Sequence, residues 1–121
     1  MKIFIKTIGH EIADHSLSHN LDVDYWKNGT YKRYVHEIIE LRDQLNRENI
    51  TKVTGYRQPL LQTAGDVTFS VLKDFGFQYD SSLVTNLNDF YWPFTLDHQV
   101  PNCVIEPCPN GKYCQLISKY N

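Results

Sequence analysis

One amphipathic stretch constrains the fold of this sequence more than any other. From Thr30 onward, apolar residues recur at helical spacing, and charged residues fill most of the positions between them. The apolar positions of this stripe are Tyr34, Val35, Ile38, Ile39, Leu41 and Leu45. Thr30 is a suitable N-cap, and the polar run from Asn46 to Asn49 ends the pattern. The sequence therefore predicts an amphipathic helix over residues 30–45.

Strand and helix patterns alternate after this helix. Val53–Tyr56 is a candidate strand, and Pro59 prevents it from continuing in the interior of a sheet. Asp66 is placed to cap a second helix over Val67–Phe75, and Phe77–Tyr79 is the next candidate strand. Strand, helix and strand in alternation indicate an α/β fold with parallel strands. In such folds, sites are built from polar residues at the carboxyl ends of the strands.

The remaining segments have weaker patterns. Residues 1–8 are expected to be the end of a helix or a strand, and Asn20–Trp26 is expected to be a loop. Periodicity is lost from Asn86 onward, and the run from Trp92 to Asn110 is expected to be a long irregular arm. The sequence contains no internal repeat and no linker, so its 121 residues form at most one small domain or a piece of a larger one.

Composition and charge exclude several classes of function. The hydrophobic fraction of 41% is enough for a core, and the mean hydropathy is −0.45. No run of about 18 apolar residues is present, so no membrane span is predicted. The formal net charge is −2, with both signs interspersed, which is unlike the clustered basic surface of a nucleic-acid-binding protein. We therefore expect a small or neutral partner.

Cysteines Cys103, Cys108 and Cys114 fall near the end of the chain. Their odd number leaves three interpretations open: a disulfide with a free thiol, a metal cluster, or a missing partner cysteine. The C-x4-C and C-x5-C spacings differ from the C-x2-C pairs typical of structural zinc sites.

Two glycosylation sequons begin at Asn28 and Asn49, and they are compatible with secretion. The segment Met1–Thr7 is too short for the apolar stretch of a signal peptide. Either the chain is cytosolic or its true start is missing, and we favour the missing start.

The segment from Gly9 to Asn20 contains two histidines four residues apart, His15 and His19. If it forms one turn of helix, both imidazoles project from the same face and can share a metal ion. Two ligands alone make a poor site, because catalytic zinc usually has three protein ligands. A polar helix face is therefore an open alternative. On the α/β interpretation, His15 and Arg57 both lie at carboxyl ends of strands.

Five segments, in order, resemble the polysaccharide deacetylase family (carbohydrate esterase family 4), and most closely the animal chitin deacetylases. Together they cover most of residues 9–108. The segments are G-H-E-I…H-S-L-S-H (9–19), D-Y-W-K-N (24–28), G-Y-R-Q-P-L-L-Q (55–62), F-Q-Y-D-S-S (77–82) and W-P-F-T-L-D-H-Q-V-P (92–101).

This resemblance implies an incomplete (β/α) barrel, with residues 1–121 as the central part of the catalytic domain. It implies that His15 and His19 bind Zn²⁺ or another divalent metal, which activates water for hydrolysis of an acetamide. It assigns to Arg57 the orientation of a catalytic aspartate, and to the backbone N–H of Leu60 a contact with the developing oxyanion. It also suggests a disulfide between Cys103 and Cys108, which would leave Cys114 for a partner elsewhere.

The sequence also departs from the family pattern. The T-F-D-D segment, which supplies the metal-binding and basic aspartates, does not precede Gly9, and the L-x-H acid does not follow the W-P-F-T arm. The polypeptide alone is therefore expected to be inactive. The expected function is that of a fragment of a secreted chitin deacetylase acting on N-acetylglucosamine polymers. The alternatives are an inactive, extracellular chitin- or glycan-binding protein and a deacetylase of xylan or peptidoglycan.

Overall fold

Three helices and four short strands lie in the part of the chain that the structure describes. A computed structural model of the chain describes residues 9–84, 94–96, 104–109 and 113–118, of which 94–96 and 113–118 are described by their backbone. The helices are α1 (Val23–Lys27), α2 (Tyr31–Arg47) and α3 (Asp66–Asp74), with a 3-10 turn at Pro59–Leu61. The strands are β1 (Gly55–Tyr56), β2 (Tyr79–Asp80), β3 (Phe94–Leu96) and β4 (Tyr113–Ser118).

The strands form one mixed sheet in the order β1-β2-β4-β3. β1 pairs with β2 and β2 pairs with β4 in parallel, whereas β3 and β4 are antiparallel. A parallel bridge between Asp14 and Tyr56 extends the sheet beyond β1. The predicted mixture of helices with parallel strands is confirmed, and an incomplete barrel stays a prediction.

Helix α2 confirms the prediction for residues 30–45 and continues to Arg47. The Thr30 side chain caps it by accepting a hydrogen bond from the Arg33 N–H. Within its apolar stripe, Tyr34, Ile38 and Leu45 are buried in the core, and the other three residues are partly buried against it. This helix therefore provides the surface on which α1 and the segment before it pack.

The corner between α1 and α2 is closed by tight packing at Gly29. A Cβ atom at this position would lie 2.4 Å from the Tyr34 ring, so a glycine is needed there. The Tyr34 hydroxyl donates a hydrogen bond of 3.0 Å to the carbonyl of Trp26, and both side chains are fully buried. The two helices are therefore held at a fixed angle.

The predicted loop at Asn20–Trp26 is wrong for its second half, because residues 23–27 form α1. The Asp22 side chain caps this helix by accepting from the Asp24 N–H. The helix is only five residues long, so its sequence is too short to show a helical periodicity.

Two further boundaries differ from prediction. The N-cap of α3 is Gly65, and Asp66 is its first residue and not its cap. The strand predicted at Phe77–Tyr79 lies at Tyr79–Asp80, where it pairs with β1.

The C-terminal part is more regular than expected. Strand β3 falls within the arm predicted to be irregular, and β4 follows it. Residues 1–8, most of the W-P-F-T-L-D-H-Q-V-P arm and Cys103 lie outside the described residues. In the part of the chain that the structure describes, no helix has the length and apolar character needed to cross a membrane.

A buried polar network joins the ends of β1 and β2. Both oxygens of the Asp80 carboxylate accept hydrogen bonds from Ser82, one from its N–H at 2.9 Å and one from its hydroxyl. The Ser82 hydroxyl oxygen accepts in turn from the Gln58 N–H at 2.8 Å. Burial raises the pKa of Asp80 to about 6, although the Ser82 hydrogen bonds and the nearby Arg57 charge act in the opposite direction.

This pKa predicts a pH-dependent stability. Since folded Asp80 holds its proton to higher pH than the unfolded chain does, its contribution to stability is complete below about pH 4. It decreases by up to about 3 kcal/mol as the pH rises to about 6. Asp80→Asn should flatten this slope, because an amide can accept from the Ser82 N–H and donate to its hydroxyl oxygen without titrating. Urea unfolding at pH 4, 5, 6 and 7 measures the slope.

The matched control is Asp74→Asn, at an exposed carboxyl group on α3. It should leave the slope of the native chain intact. An unchanged slope in Asp80→Asn would contradict the assignment of this titration to Asp80.

Candidate metal centre

The backbone of Asp14 brings the histidine segment to the edge of the sheet. The Asp14 N–H donates to the Gly55 carbonyl, and its carbonyl accepts from the Arg57 N–H, both at 2.9 Å. His15 therefore emerges beside the carboxyl end of β1. This is the end at which parallel α/β folds place their sites.

A second contact fixes the ring of His15. Its Nδ1 lies 2.8 Å from the carbonyl oxygen of Arg57. Because a carbonyl oxygen can only accept, Nδ1 carries the proton, and Nε2 retains its lone pair. Metal-binding histidines are commonly oriented in this way, by a carbonyl oxygen that accepts from the ring nitrogen that does not bind the metal.

The imidazole rings of His15 and His19 lie side by side. Their centroids are 4.9 Å apart and their planes are inclined by 60°. Both residues are exposed. The structure thus brings together the two side chains that the sequence singled out as metal ligands.

The conditional expectation of a helical turn between these histidines is wrong. Residues 15–19 form a loop, in which Ser16 and His19 have left-handed φ values of 67° and 47°. The Asp14 side chain accepts from the Ser16 N–H at 2.9 Å, and the Ser16 hydroxyl accepts from the His19 N–H at 3.2 Å. These short-range bonds reverse the chain so that the rings approach each other without a helix.

The donor set in the described part of the chain consists of two imidazoles. No group of three or more His, Cys, Asp or Glu side chains there could hold a metal ion. The residues present fit part of a zinc site, in which imidazole nitrogens bind the metal and a third protein ligand completes it.

Arg57 and Leu60 lie just beyond the carboxyl end of β1. Arg57 is half-buried, and its charge partly opposes the burial that raises the pKa of Asp80. Leu60 is 42% exposed and has a left-handed φ of 55°, as does Leu61 at 58°. Two adjacent non-glycine residues in this region are unusual and occur preferentially at functional sites. The roles of Arg57 and Leu60 stay predictions.

The carboxyl group of Asp14 lies buried beneath the histidine loop. One oxygen accepts from Ser16, and the other has no hydrogen-bond partner among the residues that the structure describes. Burial raises the pKa of Asp14 to about 7, against the lowering effect of the Ser16 N–H. Sequence reasoning placed this residue beside the ligands but did not indicate its burial.

Glu37 is the residue of this region that sequence reasoning missed. The helical pattern grouped it with the charged, solvent-facing positions, yet it is 1% exposed. Its position between Tyr34 and Ile38, on the border of the apolar stripe, is the signal that could have indicated its burial.

The geometry predicts the tautomer of His15. At pH 8, we expect two-bond ¹H–¹⁵N correlation spectra to show His15 protonated at Nδ1, because the Arg57 carbonyl holds that proton. The exposed His10 serves as an internal reference measured in the same spectrum. A proton on Nε2 of His15 would show that the contact with Arg57 does not exist in solution.

No protein-family model matches the sequence. Two known proteins are nevertheless similar to it in sequence. The chain is 36% identical over 109 residues to chitin deacetylase 8 of Bombyx mori, and 33% identical over 112 residues to chitin deacetylase 1 of the same organism. The alignments cover 85% and 87% of this chain, and 29% and 21% of those relatives. The chain thus spans less than a third of their length.

A comparison of structures agrees with the comparison of sequences. The structure matches a crystal structure described as a polysaccharide deacetylase from Mycobacterium smegmatis, with a TM-score of 0.62 and 24% sequence identity. The match covers 98% of this chain and 34% of that chain, and at this identity it shows the fold. Sequence relatives and structural neighbour agree, and the chain belongs to the polysaccharide deacetylase family.

Proposed function

We propose that this chain supplies two metal ligands and part of the active-site wall of a chitin deacetylase. The reaction is hydrolysis of the N-acetyl groups of N-acetylglucosamine polymers. The observation that carries the proposal is the pair of adjacent imidazoles, with His15 held through Nδ1 so that its Nε2 is left to bind a metal ion. The names of the two Bombyx mori relatives support the choice of chitin as substrate.

His15 and His19 are the residues that would hold Zn²⁺ or another divalent ion. When bound, such an ion supplies Lewis-acid polarisation of the acetamide carbonyl and lowers the pKa of water. The family resemblance implies that an aspartate completes the site. On this proposal, that ligand comes from outside the described residues.

Arg57 and Leu60 are proposed to act beside the metal. The Arg57 guanidinium orients the basic aspartate and favours its ionised form. The backbone N–H of Leu60 donates to the oxyanion that develops during hydrolysis, a role that does not depend on its side chain. The left-handed backbone of Leu60 supports this assignment, because such conformations are retained where they serve a site.

We further propose that residues 1–121 are the central part of a catalytic domain with an incomplete barrel. The share of the relatives that the chain spans supports this division. The polypeptide alone then lacks the base and the acid of the reaction, so it binds metal without releasing acetate.

An extracellular location is part of the proposal. Asn28 and Asn49, the first residues of the two sequons, are exposed, which fits N-glycosylation at these positions. Cys108 is disulfide-bonded, which fits an oxidising compartment. Its pairing with Cys103, which would leave Cys114 for another partner, remains a proposal.

Glycosylation is tested by expression behind a secretory leader in insect cells. We expect a mass decrease after treatment with an amidase that removes N-glycans. Asn28→Gln and Asn49→Gln should each remove one glycan. Asn20→Gln, outside any sequon, is the control and should leave the glycan count unchanged. A secreted chain that carries no glycan would contradict the assignment.

Zinc titration tests the metal site directly. We expect the chain to bind one Zn²⁺, and His15→Ala or His19→Ala to weaken binding by more than about tenfold, because each removes one of two imidazoles. His10→Ala removes an exposed histidine outside the pair and should leave the affinity unchanged. Equal affinities in all variants would remove the basis of the proposed site.

Acetate release tests the reaction. The longest native protein that contains this segment is incubated with chitin oligosaccharides, and acetate is measured with and without a chelator. We expect release that requires metal and both histidines. Binding of chitin without acetate release would instead favour the alternative of an inactive glycan-binding protein.

A further inference from the structure

We propose that Glu37 is a positioning residue for the histidine pair. Its buried carboxylate on α2 fixes the loop between His15 and His19 in the conformation that brings the two rings together. This inference rests on the proposed function, because it assigns a metal-binding purpose to the loop that Glu37 holds.

Three hydrogen bonds join Glu37 to the middle of this loop. One carboxylate oxygen accepts from the Ser18 N–H at 2.9 Å, and the other accepts from the Ser18 hydroxyl at 2.8 Å. The Glu37 backbone carbonyl accepts from the Leu17 N–H at 2.8 Å. One residue of α2 thus holds two consecutive loop residues, both of which lie between the candidate ligands.

The same carboxylate also holds the segment that follows the loop. The Tyr25 hydroxyl donates to it at 2.7 Å. Arg33, one turn earlier on α2, donates to the Tyr25 carbonyl at 2.8 Å, and its guanidinium lies 4.4 Å from the centre of the Tyr25 ring. Helix α1 and the histidine loop are therefore attached to one face of α2.

The chemistry of these contacts suits a carboxylate. Three donors converge on its two oxygens, and hydrogen bonds to an ionised acceptor are stronger than neutral ones. Burial alone would raise the pKa of Glu37, but the hydrogen bonds from Ser18 and Tyr25 outweigh it and lower the pKa. A methionine, similar in length but without a carboxylate, would leave all three donors without this acceptor.

The loop needs such support because its backbone is strained. Ser16 and His19 both have left-handed φ values, which cost free energy in residues with a side chain and persist only where the surroundings enforce them. His15 is held independently by the Arg57 carbonyl. The ligand whose position depends on Glu37 is therefore His19.

The test compares Glu37→Met with Tyr25→Phe. Both variants remove hydrogen bonds at this site, but only Glu37→Met removes the side-chain contacts with the histidine loop. We expect Glu37→Met to weaken Zn²⁺ binding by about tenfold or more, because His19 loses the support that positions it. Tyr25→Phe should lower the melting temperature while changing the zinc affinity by less than about twofold.

Nuclear Overhauser contacts between the ring protons of His15 and His19, measured without metal, provide a second readout. We expect the contacts in the native chain and in Tyr25→Phe, and their loss in Glu37→Met. The His15 tautomer should persist in all three, since it depends on Arg57. If Glu37→Met fails to fold, Ser18→Ala removes the hydroxyl bond alone and should weaken zinc binding in the same direction.

The outcomes separate this inference from the proposed function. If the native chain binds zinc and Glu37→Met binds it equally well, Glu37 is not a positioning residue and the metal site stands. If the native chain binds no zinc, the proposed function fails, and loss of the ring contacts in Glu37→Met would still support the positioning role. Ring contacts that survive in Glu37→Met would overturn it.

Discussion

Two backbone hydrogen bonds at Asp14 carry the arrangement of the whole candidate site. They add the segment before His15 to the edge of the sheet, beside the end of β1. They place the ring of His15 where its Nδ1 contacts the carbonyl of Arg57. The histidine loop starts at this attachment, so the approach of the His19 ring to the His15 ring also depends on it.

The buried carboxyl groups around this point differ in how many hydrogen bonds they accept. Glu37 accepts three from Ser18 and Tyr25, and its pKa is lowered. Asp80 accepts from Ser82 on both oxygens, yet burial raises its pKa. Asp14 accepts on a single oxygen, and burial raises its pKa as well. Hydrogen bonds to the ionised form therefore outweigh desolvation at Glu37, the residue that contacts the histidine loop.

The sequence allowed the long elements to be predicted, because α2 and α3 have helical periodicity and the parallel strands follow from their alternation with helices. It did not allow α1 to be predicted, since five residues carry too little pattern and depend on the Asp22 cap. The pairing of His15 with His19 was predicted for a reason that proved wrong, because the spacing suited a helix and the structure uses a loop with left-handed residues. The position of Glu37 on the border of the apolar stripe hints at its burial, but its partners Ser18 and Tyr25 are tertiary contacts that local periodicity does not identify.

Because α1 is short, it depends on its contacts with α2, and so does the site next to it. Isolated helices shorter than about 12 residues are marginal in water, so α1 exists because Trp26 and Tyr25 dock on α2. The histidine loop ends at this docked helix, where the Trp26 indole donates to the Asn20 carbonyl at 2.8 Å. The ligand pair is therefore a product of tertiary assembly. A synthetic peptide spanning residues 9–20 carries both imidazoles but none of the framework that aligns them.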